Sequence, residues 1–251
     1  MNIKGFIENS MIEWPGKLAA VVFLPGCNMR CHYCHASHLV IRPENHESIE
    51  REQIFDCLKR LKGWLDGVVI TGGEPTLHGE ELVELIEQIR AMGLQTMIET
   101  NGTRPEMLGQ LLRDGLLDCV AMDVKAPLDE AAYKRVAGVE VDIEDIRASI
   151  RMILEGDLEH EFRITVVPGL VGEDELKRIG PEITGARTIA LQNVKPHLCM
   201  DEELRTRRAY LPEQMDRLGE LMRPYAENIV IRGREHGLEA DDAEVCPPHM
   251  S

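Results

Sequence analysis

The chain has 251 residues, 43% of them hydrophobic, with a formal net charge of −16 and a sequence pI of about 5.0. That length suits one α/β domain or two small ones, and the acidic balance repels phosphate backbones, which argues against nucleic acid as the main partner. No apolar run approaches a membrane span, and the opening MNIKGFIENS lacks the apolar stretch of a secretory leader, so the expectation is a cytoplasmic protein with no membrane association. In a reducing compartment, seven cysteines with three of them clustered read as metal ligands rather than disulfides.

Residues 3–17 hold Phe6, Ile7, Met11, Ile12 and Trp14 before the turn Pro15-Gly16, which predicts a lead-in strand or hairpin. Leu18–Leu24 is a continuous apolar run, as in a strand buried on both faces. After the cysteine loop, Ser48 is placed to cap a helix running to about Leu61, with Cys57 as a buried thiol on it. Val68–Thr71 is the next strand, ending in Gly72-Gly73-Glu74-Pro75, and a helix follows over 79–92. Leu94–Glu99 is a strand ending in Thr100-Asn101-Gly102, and Pro105 opens a helix to Arg113. Asp118–Val124 is a strand ending in Lys125, with Cys119 as a core residue, followed by helices over 129–136 and 142–155. Strands over Phe162–Val167 and Thr188–Val194, helices over 173–180 and 212–225, and a last short strand Ile229–Ile231 complete the pattern.

About six strand–helix alternations give a parallel sheet with right-handed crossovers. Six units are too few for the closed eight-fold barrel, so the expected fold is α/β, an open partial (βα)6 TIM-like barrel of parallel strands. One domain over 1–233 is expected, with an acidic, proline-containing tail over 234–251 laid on the surface.

The chemistry collects between Cys27 and Cys34, in CNMRCHYC. Thiolates bind soft metals and iron–sulfur clusters, and this spacing lets one loop wrap three corners of a cube. A four-iron cluster usually takes four cysteines, so three leave one iron open to a ligand. His32, His35 and His38 lie among the cysteines, so a Cys3His zinc site stands as the alternative. In open parallel sheets ligands bind at the carboxyl ends of strands. The cysteine loop, Gly72-Gly73-Glu74, Glu99-Thr100-Asn101, Asp123 and Lys125, and Gln192 to His197 all fall at such ends, with Arg163 within a strand. Two adjacent glycines bare the backbone to a ligand, though an ordinary strand-to-helix turn also uses them.

CxxxCxxC followed by GGEP resembles the radical S-adenosylmethionine (SAM) superfamily. The opening IKGFIENSMIEWPGKLAAVVFLPGCNMRCHYCH, then TGGEP, ETNG, MDVKAP and RITVVPG, resembles the glycyl-radical-enzyme activating proteins, above all those serving anaerobic ribonucleoside-triphosphate reductase. The resemblance implies one [4Fe–4S] cluster on Cys27, Cys31 and Cys34, with SAM on the open iron. It implies a cofactor-binding set in which Gly72, Gly73 and Glu74 meet the methionine amino group and Tyr33 meets adenine. Thr100, Asn101, Asp123 and Lys125 would surround the carboxylate, and His35, Arg163 and His197 complete the set. It also implies a low-potential electron donor, flavodoxin or ferredoxin, and reductive cleavage of SAM to a radical that takes hydrogen from a glycine Cα of the partner enzyme.

The chain departs from the family at Ala36, where an asparagine is usual and Ser37 or His38 would have to substitute, and at Glu99, where aspartate is common. Only Cys57 lies between Cys34 and GGEP, which leaves no ferredoxin-like insert, and Cys199 and Cys246 are isolated. Trp14 is expected to help seal one side of the cavity. The alternatives are an activase of the pyruvate formate-lyase type, a small-molecule enzyme such as 7-carboxy-7-deazaguanine synthase, and a non-enzymatic zinc or iron–sulfur module.

Overall fold

The computed structural model describes residues 1–237. Eight strands form one sheet whose spatial order is the sequence order. β1 (Gly5–Ser10) runs antiparallel to β2 (Ala19–Leu24), which realises the expected N-terminal hairpin. Every later neighbour is parallel: β3 (Gly67–Gly72), β4 (Gln95–Thr100), β5 (Cys119–Asp123), β6 (Glu159–Val166), β7 (Ala186–Asn193) and β8 (Ala226–Arg232). Six crossovers therefore join seven parallel strands. Each crossover advances the chain one place, and strand twist curls such a sheet toward a barrel. The barrel is open, because β1 and β8 are its two edges.

The crossovers carry α1 (Ser37–Ile41), α2 (Arg51–Arg60), α3 (Glu80–Ala91), α4 (Pro105–Arg113), α5 (Glu130–Ala137), α6 (Ile143–Glu155), α7 (Glu173–Ile179), α8 (Glu202–Arg205) and α9 (Pro212–Met222). The short α1 and α8 are absent from the sequence reading, since four or five residues are too few to display a helical period. Ser48 does not cap α2: its hydroxyl accepts from Lys4 Nζ at 2.9 Å, and Glu50 takes the N-cap place in extended conformation. The chain pins that segment to the N-terminus instead, where Ile3 bridges Ile49. The tail begins as a 3-10 turn, Arg234–Gly237, with His236 Nδ1 3.2 Å from the Asn193 carbonyl oxygen. Residues beyond it, Cys246 among them, lie outside the described part.

Alternation along the strands builds two cores. Ala20, Val22, Leu24, Val68, Ile70 and Ile98 face the helices. Ala19, Val21, Val69, Met97, Cys119 and Ala121 face the barrel interior around Trp14, which is 4% exposed. Trp14 follows β1, whose last residue pairs with Ala19, so its ring plugs the interior at the starts of the parallel strands rather than lining the cavity at their ends. Emptying that position by Trp14→Ala would cost about 3–5 kcal/mol. No helix is long and apolar enough to cross a membrane, among the described residues.

Candidate active site

The carboxyl ends of the strands surround a cavity of about 250 Å³. Cys27, Cys31 and Cys34 line it together with Tyr33, Gly72, Gly73, Thr100, Asn101, Asp123 and Lys125. Six strand ends thus converge on the cysteine loop, as the sequence pattern predicts.

That loop is held on three sides. The Arg30 N–H donates to the Ala137 carbonyl at the end of α5 at 2.8 Å. Gly138 just beyond has φ +69, and a Cβ there would sit 2.4 Å from the Arg30 carbonyl oxygen, so only glycine lets α5 approach. The Asp201 N–H donates to the His32 carbonyl at 2.9 Å, and His32 Nδ1 lies 3.1 Å from the Asp201 carboxylate. On the third side Asn101 Nδ2 donates to Asn28 Oδ1 at 2.9 Å and contacts Cys27 Sγ at 3.8 Å.

The two motifs are zipped together by backbone. The Gly73 N–H donates to the Leu24 carbonyl at 2.8 Å and the Glu74 N–H to the Gly26 carbonyl at 2.7 Å. A Cβ on Gly72 would come within 2.2 Å of Leu24 O, and one on Gly73 within 1.8 Å of Gly26 O. The glycines therefore dock the chain entering the cysteine loop, besides lining the cavity.

Glu74 is fully buried and is not among the cavity-lining residues. Its Oε1 accepts from the Thr76 N–H at 3.1 Å, the Thr76 hydroxyl at 2.5 Å and the Thr100 hydroxyl at 2.8 Å. Its Oε2 accepts the Asn101 N–H at 2.6 Å. Burial raises its pKa and the four donors pull it back. Its side chain locks the end of β3 to the end of β4 and so sets Thr100 and Asn101 beside the cysteines.

Lys125 Nζ pairs with Asp123 at 2.9 Å and lies 5.8 Å from the centre of the Tyr33 ring. Burial works against its charge, but Asp123, Tyr33 and Cys31 outweigh it and hold its pKa above the usual lysine value. Burial pushes the Cys31 thiol up to about 12, with Lys125 the main opposing charge. Thiolates here call for a cationic partner such as iron. The Tyr33 hydroxyl is buried without a hydrogen-bond partner among the described residues. Three thiols, a half-buried lysine and an orphaned hydroxyl around one cavity fit a cluster with a zwitterionic ligand beside it.

Of the remaining expected site residues, His35 lines the cavity, whereas Arg163 and His197 do not. Arg163 is buried but does not line the cavity. Its Nε donates to Glu161 at 2.6 Å, a second nitrogen pairs with Glu99, and Nη2 donates to the Glu13 carbonyl at 3.2 Å. Two carboxylates and a carbonyl inside the barrel thus engage all three guanidinium nitrogens. His35 lines the cavity rim and its Nε2 accepts from the Lys195 N–H at 3.3 Å. His197 is exposed on a 3-10 turn and does not line the cavity. Ala36 itself lines the cavity, whereas Ser37 and His38 do not.

Phe23, Thr71, Glu99, Thr165 and Gln192 also line the cavity; the sequence reading placed Glu99 and Gln192 at the ligand-facing strand ends but gave none of the five a contact there. Strand parity could have found all five: Phe23, Thr71, Glu99, Thr165 and Gln192 stand two residues after the inward-facing Val21, Val69, Met97, Arg163 and Ala190.

The Radical SAM superfamily model matches residues 21–178. The chain belongs to the radical SAM superfamily, whose enzymes use a [4Fe–4S] cluster and SAM. It is similar to a protein of Methanocaldococcus jannaschii provisionally named a glycyl-radical enzyme activating enzyme, at 33% identity over 234 residues, covering 92% of this chain and 95% of the relative. It is also similar to the pyruvate formate-lyase-activating enzyme of Clostridium pasteurianum, at 26% identity over 193 residues, 74% of this chain and 78% of the relative. Among solved structures, SuiB of Streptococcus suis superposes with a TM-score of 0.62 at 15% identity, covering 85% of this chain and 48% of SuiB, which reflects the fold alone.

Proposed function

We propose that the chain is the activase of an anaerobic ribonucleoside-triphosphate reductase and installs a glycyl radical on that enzyme. The observation that carries the reading is one cavity in which three thiols meet the Gly72–Gly73 backbone and the Lys125–Asp123 pair. Cys27, Cys31 and Cys34 would hold the cluster. Gly72, Gly73, Thr100, Asn101, Asp123 and Lys125 would hold the amino-acid end of SAM, and Tyr33 the adenine. Bound together, cluster and SAM supply a carbon-centred radical able to take a hydrogen atom from an unactivated C–H bond. The protein's own work is to bind, orient and exclude water, which the buried Glu74 bracket and the Trp14 plug support.

The reductase is favoured over a pyruvate formate-lyase by the residues 3–35 fingerprint, and over a small-molecule substrate by the short CxxxCxxC loop. Flavodoxin or ferredoxin is the proposed electron donor and the cytoplasm the proposed compartment, since an open iron site needs reducing surroundings. Residues 1–233 form the proposed catalytic domain and 234–251 its appendage. The test is anaerobic reconstitution with iron and sulfide, EPR with and without SAM, then incubation with the reductase. A four-iron signal altered by SAM, followed by a glycyl radical on the reductase, is expected. A radical formed only on a pyruvate formate-lyase would move the target, and zinc bound without iron or sulfide would favour the non-enzymatic module.

A further inference from the structure

Among the polar side chains that line the cavity and are not used by the reading above, two stand side by side. Thr165 on β6 and Gln192 on β7 are register partners on adjacent parallel strands, and both point into the cavity. Both are partly exposed there. Neither side chain makes a hydrogen bond within the protein, among the described residues, whereas their cavity neighbours Thr71, Glu99, Thr100, Asn101, Asp123 and Lys125 are all engaged. The cavity thus has two unlike walls. The wall from β2 to β5 carries the thiols, the bare glycine backbone and the Asp123–Lys125 pair. The wall from β6 to β7 offers a carboxamide and a hydroxyl and no free charge.

A zwitterion is served by the first wall. The second matches an uncharged ligand that both donates and accepts. A carboxamide does both, and a threonine hydroxyl does too. A peptide group is such a ligand. The substrate of the proposed reaction is a glycine, which has no side chain to grasp, so the flanking peptide groups are the only local handles. We propose that Thr165 and Gln192 bind the peptide backbone beside the reacting glycine and set its Cα toward the cofactor. This rests on the activase reading. In the step they serve, the glycine Cα–H bond breaks and a C–H bond forms on the nucleoside carbon, and the unpaired electron passes to the glycine with no charge transferred.

The test uses reconstituted holoenzyme and the peptide acetyl-Ala-Ala-Gly-Ala-Ala-amide carrying dideuterated glycine. Gln192→Leu, Thr165→Val and the double variant are compared with wild type. Three quantities are read: SAM affinity, total 5′-deoxyadenosine released, and the fraction of it that carries deuterium. Peptide binding is also followed by saturation-transfer NMR, independently of turnover. Losing two neutral hydrogen bonds should lower deuterium transfer and peptide affinity about ten-fold in the double variant, with SAM affinity and total cleavage unchanged. Replacing the glycine by N-methylglycine in the peptide should weaken wild-type binding and leave the double variant indifferent. A matching loss of SAM affinity would assign the pair to the ribose and overturn the proposal, as would peptide binding that ignores both substitutions. If wild type cleaves SAM yet takes deuterium from neither the peptide nor the intact reductase, the activase reading fails and the proposal falls with it. Transfer from the reductase but not from the peptide, with both variants at wild-type rates on the reductase, would overturn the proposal alone.

Discussion

Glu74 Oε2 accepts the backbone N–H of Asn101 at 2.6 Å, across the gap between the ends of β3 and β4. The carboxylate of the GGE motif is therefore a bracket of the scaffold. Glu74→Gln turns one oxygen into a donor that faces another donor in a buried site. We expect a loss of about 1–3 kcal/mol, read as a shift in urea midpoint, together with weaker SAM binding because Asn101 and Cys27 move with the bracket. Unchanged stability would show that the four hydrogen bonds are replaceable.

Any one of Cys27, Cys31 and Cys34 replaced by alanine should leave the fold intact and abolish iron retention and SAM cleavage. All three thiols line the cavity, and alanine takes away a single sulfur atom, so truncation removes a ligand while the surrounding core keeps its other side chains. Retained cleavage with full iron content would remove that cysteine from the ligand set.

Arg163 links Glu99, Glu161 and the Glu13 carbonyl within the barrel. Arg163→Met leaves Glu99 without its cation and Glu161 dependent on Arg232, which bonds it at 2.7 and 2.8 Å. Breaking one partner of a buried ion pair typically costs about 3–5 kcal/mol, which thermal unfolding would register. Arg163→Lys should recover only part of it, because one ammonium cannot span three acceptors in a plane.

Lys125→Met removes the half-buried cation beside Tyr33 and Cys31. SAM affinity should fall by about ten-fold or more, in keeping with a charge-assisted contact, while the cluster still assembles. Titration of the reconstituted variant with SAM, followed by EPR, separates that outcome from a failure to bind iron.

His160 predicts a pH dependence of stability away from the site. Its Nδ1–H donates to the Leu158 carbonyl at 3.1 Å and its Nε2 accepts the Arg187 N–H at 3.1 Å, so only the neutral ring satisfies both. Burial lowers its pKa below the ordinary histidine value. The unfolded chain then binds a proton that the folded one resists, so this contribution is complete above about pH 6.5 and is lost as pH falls through the folded pKa. Denaturant midpoints measured between pH 7 and pH 5 should drop more steeply for wild type than for His160→Gln. Parallel slopes would place the acid sensitivity elsewhere.

Short-range signals carried much of the fold and part of the site. Apolar runs, glycine turns and helical periods placed seven parallel strands and the longer helices to within about three residues at each end, because each is encoded locally. CxxxCxxC and GGEP marked the cluster loop and its neighbour for the same reason: both are contiguous. The double role of Gly72 and Gly73 was half legible, as bare backbone toward a ligand. That they also admit the Leu24–Gly26 backbone depends on a strand pairing across more than forty residues.

The rest was decided by position in three dimensions. By sequence Arg163 lies within a strand of the site and His197 just past a strand end, yet carboxylates inside the barrel engage the first and a surface turn exposes the second. Glu74 and Lys125 stand at the ends of β3 and β5, but folding turns one into a buried bracket and leaves the other on the cavity wall. Thr165 and Gln192 carry no motif at all, and only the β6–β7 register brings them together over the cavity. Residue type and spacing determined which chemistry this chain can hold. Which side chain faces the cavity, and which is spent on holding another, is a property of long-range pairing that no local pattern encodes.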